Sequence, residues 1–161
     1  PSTNCSTTRQ LFRELNADLG LSLGNSYITR RLFSIPRLGM INIHGEILPE
    51  YRGGQSIIWP IYKGSAETGF TIHKINFGLD TGDILYQERY PIQFHSTLRE
   101  TVQETLQVGR SRIPPALSKV CTDYAYYESH APSHSESRHG RQSGKSGCSD
   151  CSHRAQSADR Y

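Results

Sequence analysis

Met40-Ile41-Asn42-Ile43-His44-Gly45-Glu46-Ile47-Leu48-Pro49-Glu50-Tyr51-Arg52-Gly53 is the stretch on which the fold turns. Gly39 to His44 is apolar and β-branched enough for a strand, and Pro49 to Gly54 is loop chemistry. Side chains alternate along a strand, so Ile41 and Ile43 face one way while Asn42 and His44 face the other, ~6.6–6.8 Å apart. Two polar groups on one face of an apolar strand are costly unless both are satisfied. Open α/β sheets bind ligands at the carboxyl ends of their strands, which makes Asn42 and His44 the first site candidates. Taken singly, Asn42 reads as a turn cap and His44 as a hydrogen-bonded core histidine.

Upstream, Thr7 with Gln10 forms a capping-box pattern, and Leu11, Phe12 and Leu15 give an apolar stripe, which predicts a helix near Thr8 to Asn16. Asp18 to Gly24 alternates apolar and small residues and reads as a buried strand entering a loop. A short helix near Ile28 to Phe33 stops at Pro36. Downstream, Ser56 can cap a helix from Ile57 to Lys63, with Gln55 and Trp59 read as packing residues. Gly69 to Ile75 and Ile84 to Tyr90 read as strands joined by the turn-rich loop Asn76 to Asp83. Thr97 and Glu100 make a further capping box, with Leu98, Val102 and Leu106 repeating every fourth residue toward Gly109. Pro114-Pro115 is expected to separate this helix from a last helical turn. Strand, helix, strand, helix, strand, strand, helix is the order of an α/β sheet.

The chain has 161 residues, room for one core. Every Val, Ile, Leu, Met, Phe and Trp lies at or before Val120, and Thr122 to Tyr161 has none. A domain over residues 1–121 is therefore expected, followed by a disordered Ser/His/Arg-rich tail over 122–161. The net charge of +3 comes without a basic block, which gives no reason to expect nucleic acid. No apolar run spans a bilayer and no signal peptide opens the sequence, so a cytoplasmic protein without membrane attachment is expected. Cys5 and Cys121 read as reduced thiols. Two tail features are decoys. Gly140 to Ser146 has three residues between its glycines where a phosphate loop needs four. Cys148, Cys151 and His153 lack the fourth ligand of a closed zinc site, and no metal is expected.

Three blocks together resemble the folate-dependent formyltransferase family: Asn42-Ile43-His44 leading to Leu48-Pro49 and Arg52-Gly53, then Thr68-Gly69-Phe70-Thr71-Ile72-His73, then Asp80-Thr81-Gly82. Their order and the interval from Asn42 to Asp80 match that family, and the likeness covers roughly Asn16 to Pro115. The resemblance implies a partial Rossmann-like formyltransferase sheet with flanking helices. It implies formyl transfer from 10-formyltetrahydrofolate to a primary amine, with Asn42, His44 and Asp80 as the catalytic trio. An amide and an imidazolium can donate to a tetrahedral oxyanion, and a carboxylate can orient the imidazole and accept a proton. Ser26, Tyr27 and Ile28 align with the folate-side loop, and Phe77, Gly78 and Leu79 are expected to form the opposite wall. His73 would support the trio, and Arg52 and Gly53 would shape the loop over the acceptor.

The family's catalytic domain starts with a nucleotide-binding-like half ahead of the point where this sequence begins. A truncated chain with an open sheet edge is therefore expected. Gly45-Glu46 and the Gln55 to Trp59 segment are more similar to enzymes that formylate nucleotide-linked deoxyaminosugars than to those acting on initiator methionyl-tRNA. A methionyl-tRNA formyltransferase-like activity, a folate-binding module and a non-catalytic remnant are the alternatives, and a homodimer is left open.

Overall fold

The structure is a computed structural model that describes residues 2–54 and 57–130. In chain order the elements are α1 (Ser6–Leu15), β1 (Gly20–Leu23), α2 (Arg30–Phe33), β2 (Met40–His44), α3 (Ile58–Tyr62), β3 (Glu67–Lys74), β4 (Ile84–Pro91) and α4 (Leu98–His130). They form the expected α/β arrangement, a four-stranded sheet ordered β1-β2-β3-β4 with flanking helices. The sheet is mixed. β1 runs parallel to β2, whereas β2–β3 and β3–β4 are antiparallel, the latter as the short Ile75 to Asp83 connection requires.

β2 and β3 hold the core. Ile41, Ile43, Phe70 and Ile72 pack with Tyr90 of β4 and with Ala116 and Val120 of α4. A smaller cluster of Ile28, Leu32 and Met40 lies under α1 and α2, where Phe12 joins it. Gly69 permits the tight seam between β3 and β4, because a Cβ there would stand 2.2 Å from the Glu88 carbonyl oxygen.

Four details differ from the sequence reading. α1 is capped by Cys5, whose sulfur accepts from the Thr8 amide, so the Thr7–Gln10 box lies inside the helix. β1 is half-buried: it has a hydrogen-bonded neighbour on one side, and Leu21 and Leu23 are exposed at 46% and 62%. The stripe of α4 that faces inward is Thr101, Thr105 and Gly109, one turn-position away from the exposed Leu98. The two threonines satisfy their hydroxyls within the helix, Thr101 on the Thr97 carbonyl and Thr105 on that of Thr101. Gly109 leaves room for the Tyr90 ring.

The fourth difference is the largest. α4 runs without interruption through Pro114-Pro115 to His130, past the domain limit expected at residue 121. Each proline costs roughly 3 kcal/mol in a helix interior. Beyond them, however, the apolar face continues in helical register, with Ala116, Leu117, Val120 and Tyr124 packed in the core against the sheet. Fully buried aliphatic side chains contribute roughly 1.5–3 kcal/mol each, which works against the cost of the prolines. The Ser56 cap and Gln55 lie outside the described residues, as do the tail from residue 131, the Gly140 to Ser146 loop and the Cys148, Cys151 and His153 group.

Candidate active site

β2 delivers its alternation as read: Ile41 and Ile43 enter the core beneath α4, while Asn42 and His44 line a cavity of about 440 Å3. The neighbouring strand supplies the next polar group, because His73 pairs with Asn42 in the β2–β3 register. The Asn42 amide Nδ2 donates to His73 Nε2 at 3.3 Å, and His73 Nδ1 donates to the Lys74 carbonyl at 2.9 Å. Those partners require a neutral imidazole. Burial, the main cause, pushes the His73 pKa below its ordinary value.

Asp80 arrives from the loop after β3. Lys74 lies opposite Ile41, so the chain must fold back along the sheet to reach His44. Asn76 shapes that return: its Oδ1 accepts from the Gly78 amide at 3.0 Å and the Thr81 hydroxyl at 2.8 Å. Asp80 itself is in the left-handed region at φ 50°, a conformation Asp tolerates better than most residues. Gly82 is required by space, since a Cβ there would lie 1.8 Å from the Lys74 carbonyl oxygen. The result places Asp80 between two imidazoles, with Oδ2 3.6 Å from His44 Nδ1 and Oδ1 3.6 Å from His73 Nε2. The Gly53 amide donates to Asp80 Oδ2 at 2.8 Å, and Gly53 can present it because its φ is +88°.

His44 Nε2 donates to the Tyr51 carbonyl at 2.5 Å, which leaves Nδ1 as the ring atom turned toward Asp80. The backbone of one loop therefore holds both groups, His44 through Tyr51 and Asp80 through Gly53. Chemically, the arrangement offers an amide donor at Asn42, an imidazole able to take up a proton at Nδ1, and a carboxylate beside it.

Ser26, Tyr27 and Ile28 line one wall of the cavity, and Gly78 and Leu79 line another. Phe77, expected in that wall, does not line the cavity. Its ring meets Phe33 edge-on and lies under the Arg30 guanidinium, 5.3 Å from the ring centroid. Its carbonyl instead accepts from the Tyr27 hydroxyl at 2.9 Å, a tie between the two walls. Gly53 reaches the cavity, whereas Arg52 is exposed and does not line it. Trp59, read as packing, is half exposed and edge-on to Tyr62.

Sequence reasoning passed over Asn4, whose side chain donates to the Tyr27 carbonyl and accepts from the Thr29 amide, fixing the Ser26 to Ile28 wall. No local pattern points to it, because its partners are more than twenty residues away. Ser22 and Asn76 also line the cavity, and their signal was available as polar residues on a strand's inner face and in a turn. Among the described residues, no group of three or more His, Cys, Asp or Glu is placed to hold a metal ion, and no helix is long and apolar enough to cross a membrane.

A family profile described as formyl transferase matches residues 6–117. Among solved structures, phosphoribosylglycinamide formyltransferase from Bacillus halodurans is 28% identical at a TM-score of 0.62, over 71% of this chain and 59% of that one. Glycinamide ribonucleotide transformylase 1 from Geobacillus kaustophilus is 28% identical at 0.58, over 69% and 61%. WlaRD, a sugar 3N-formyl transferase solved with dTDP and 5-N-formyl-THF, is 27% identical at 0.53, over 69% and 41%. The chain thus spans 59% of the length of the first of these proteins.

Proposed function

Because the chain belongs to the formyl transferase family, we propose that it moves a formyl group from 10-formyltetrahydrofolate to a primary amine carried by a nucleotide-linked deoxyaminosugar. The observation that supports the transfer is the meeting of Asn42, His44 and Asp80 at one cavity, with His44 beside Asp80 and Asn42 held by His73. A cavity of about 440 Å3 falls in the roughly 300–1,000 Å3 range of small-molecule sites.

In this reading, Ser26, Tyr27, Ile28, Gly78 and Leu79 receive the folate, and Arg52 and Gly53 shape the acceptor side. The amine nitrogen bonds to the formyl carbon, the carbon–N10 bond breaks, and the proton that the amine loses to Asp80 ends on N10 of the departing tetrahydrofolate. Asn42 Nδ2 donates to the oxygen as charge develops on it. His44 takes part through Nδ1, since Nε2 is held by Tyr51. Asp80 supports the imidazolium and accepts the proton that the attacking amine gives up. His73 is neutral and keeps the Asn42 amide oriented.

The sugar acceptor draws on Gly45-Glu46 and on the 27% identity to a sugar 3N-formyl transferase. A second reading, with glycinamide ribonucleotide as the amine, draws on the 28% identity to the Bacillus and Geobacillus enzymes. One assay separates them: tetrahydrofolate release from 10-formyltetrahydrofolate with a dTDP-amino sugar, glycinamide ribonucleotide and methionyl-tRNA in parallel. Faster turnover on the sugar is expected. Release with none of the three by a folded chain that binds folate would remove the transferase reading and leave a binding module.

A further inference from the structure

Glu46 is a fully buried carboxyl that no step above uses, and it sits behind the loop that orients the reacting groups. Its Oε1 accepts from the Thr68 hydroxyl on β3, and its Oε2 accepts from the Ile47 amide at 3.2 Å. From there a continuous relay leads to the cavity. The Ile47 carbonyl accepts from the Tyr51 amide at 3.1 Å, and the Tyr51 carbonyl accepts from His44 Nε2 at 2.5 Å. Two residues after Tyr51, the Gly53 amide holds Asp80.

The same segment is fastened to β3 a second time. The Thr71 hydroxyl donates to the Glu46 carbonyl at 2.8 Å and accepts from the Leu48 amide at 3.2 Å and from Gln87 Nε2 at 2.9 Å. The Thr71 clamp holds the loop's backbone and the Gln87 amide, and does not reach the Ile47 amide. The Glu46 side chain adds an acceptor for the Ile47 amide, the first link of the relay, within a space where water has no access.

We propose that Glu46 is a positioning residue, which fixes the Gly45 to Gly53 loop so that Tyr51 and Gly53 set the orientation of His44 and Asp80. The inference rests on the transfer reading for its effect on rate, though not for its effect on His44. What it requires of Glu46 is an acceptor for the Ile47 amide rather than a charge. A glutamine meets that requirement: its oxygen can face Ile47 while its NH2 donates to Thr68, whose hydroxyl accepts as readily as it donates. A methionine of similar length cannot. A thioether removes the cost of burying a carboxyl but leaves the Ile47 amide and the Thr68 hydroxyl without that acceptor, so some loss of stability goes with it.

The test compares E46Q and E46M in the full chain by thermal unfolding, by kcat and KM for formyl transfer, and by the NMR signals of the His44 ring. E46Q is expected to keep kcat within about twofold and to leave the His44 signals in place. E46M is expected to fold, to lose roughly 10- to 100-fold in kcat with folate KM little changed, as displaced reacting groups do, and to shift the His44 signals. An E46M protein with wild-type kcat and unmoved His44 signals would overturn the proposal, whatever its melting temperature. If E46M does not fold, T68V decides in its place: it removes the hydroxyl that steadies the carboxyl, so the Ile47 amide signal and the His44 signals are expected to move together, and an Ile47 amide signal that moves while the His44 signals stay would again overturn the proposal. Should the wild-type chain transfer no formyl group, the transfer reading fails, while the His44 signals in E46M still decide the positioning role.

Discussion

Glu46→Gln should also change how stability depends on pH. Burial is the main cause pushing the Glu46 pKa from 4.5 up to about 7, against the Thr68 and Ile47 hydrogen bonds and the Arg89 charge, with Glu50 adding to the rise. On the facing strand, Tyr90 is pushed up to about 12, by burial first and by the Glu46 charge second. The folded state therefore holds the Glu46 proton more tightly than the unfolded one does. Below pH 4.5 both states are protonated and the side chain's contribution is complete. Between 4.5 and about 7 the unfolded chain ionises while the folded chain does not, so stability is lost as pH rises, and above 7 the loss is complete. At 1.36 kcal/mol per tenfold change in proton affinity the loss comes to about 3 kcal/mol. Glutamine cannot titrate. The difference in unfolding free energy, E46Q minus wild type, should climb by about 3 kcal/mol from pH 4.5 to pH 8, or roughly 6–12 °C in Tm. Urea titrations of both proteins across that range measure it, and taking the difference cancels the other carboxyls. A difference constant to within about 0.5 kcal/mol would mean that Glu46 titrates as in water, and the buried carboxyl argued above would be wrong.

Asp80→Asn keeps the left-handed turn and loses the proton acceptor, so turnover should fall ~10²–10⁴-fold while folate affinity measured by fluorescence quenching changes less than about threefold. A collapse of binding with turnover intact would make Asp80 a folate-loop residue. Gly82→Ala drives a Cβ against the Lys74 carbonyl and should cost of order 1–3 kcal/mol in urea unfolding; an unchanged midpoint would mean the return loop yields freely. Tyr27→Phe removes the hydroxyl that ties Tyr27 to Phe77 and should weaken folate binding by about 1 kcal/mol, or roughly fivefold, without altering kcat.

How far the sequence carries depends on where each residue's partners lie. β2 was legible because Ile41 and Ile43 against Asn42 and His44 is a local alternation, and the structure sends the pairs to the core and the cavity. α4 was legible as a helix but not in its length. A proline pair is a strong local stop, and what overrides it is the packing of Ala116 and Val120 on strands many residues earlier. Its buried face was misplaced for a related reason. Leu98, Val102 and Leu106 have the right period, yet Tyr90 fills the space a side chain at Gly109 would need, which turns the Thr101–Thr105 face inward. The Cys5 cap was missed because a sulfur acceptor is weaker than the hydroxyl of Thr7, which the sequence also offered.

The site divides along the same line. Motif residues named the groups that could do chemistry, and none of those names explains why the groups hold still. Their restraints come from unremarkable places: a carbonyl at Tyr51, an amide at Gly53, a side chain at Asn4 and a carboxyl at Glu46 that read from sequence as a marker of the acceptor. A backbone carbonyl has no signature in a sequence, since every residue has one. What sequence can supply is the reason the backbone turns where it does, here Gly53 at a positive φ and Gly82 where no Cβ fits. Phe77 shows the converse error. An aromatic ring beside two cavity residues looks like a wall, but the ring turns outward against Phe33 and Arg30 and stays largely exposed, and only its carbonyl serves the cavity. Chemistry-bearing side chains are thus read from type and spacing, while their orientation follows from loop backbone that the sequence constrains only at its glycines and at buried polar groups such as Glu46.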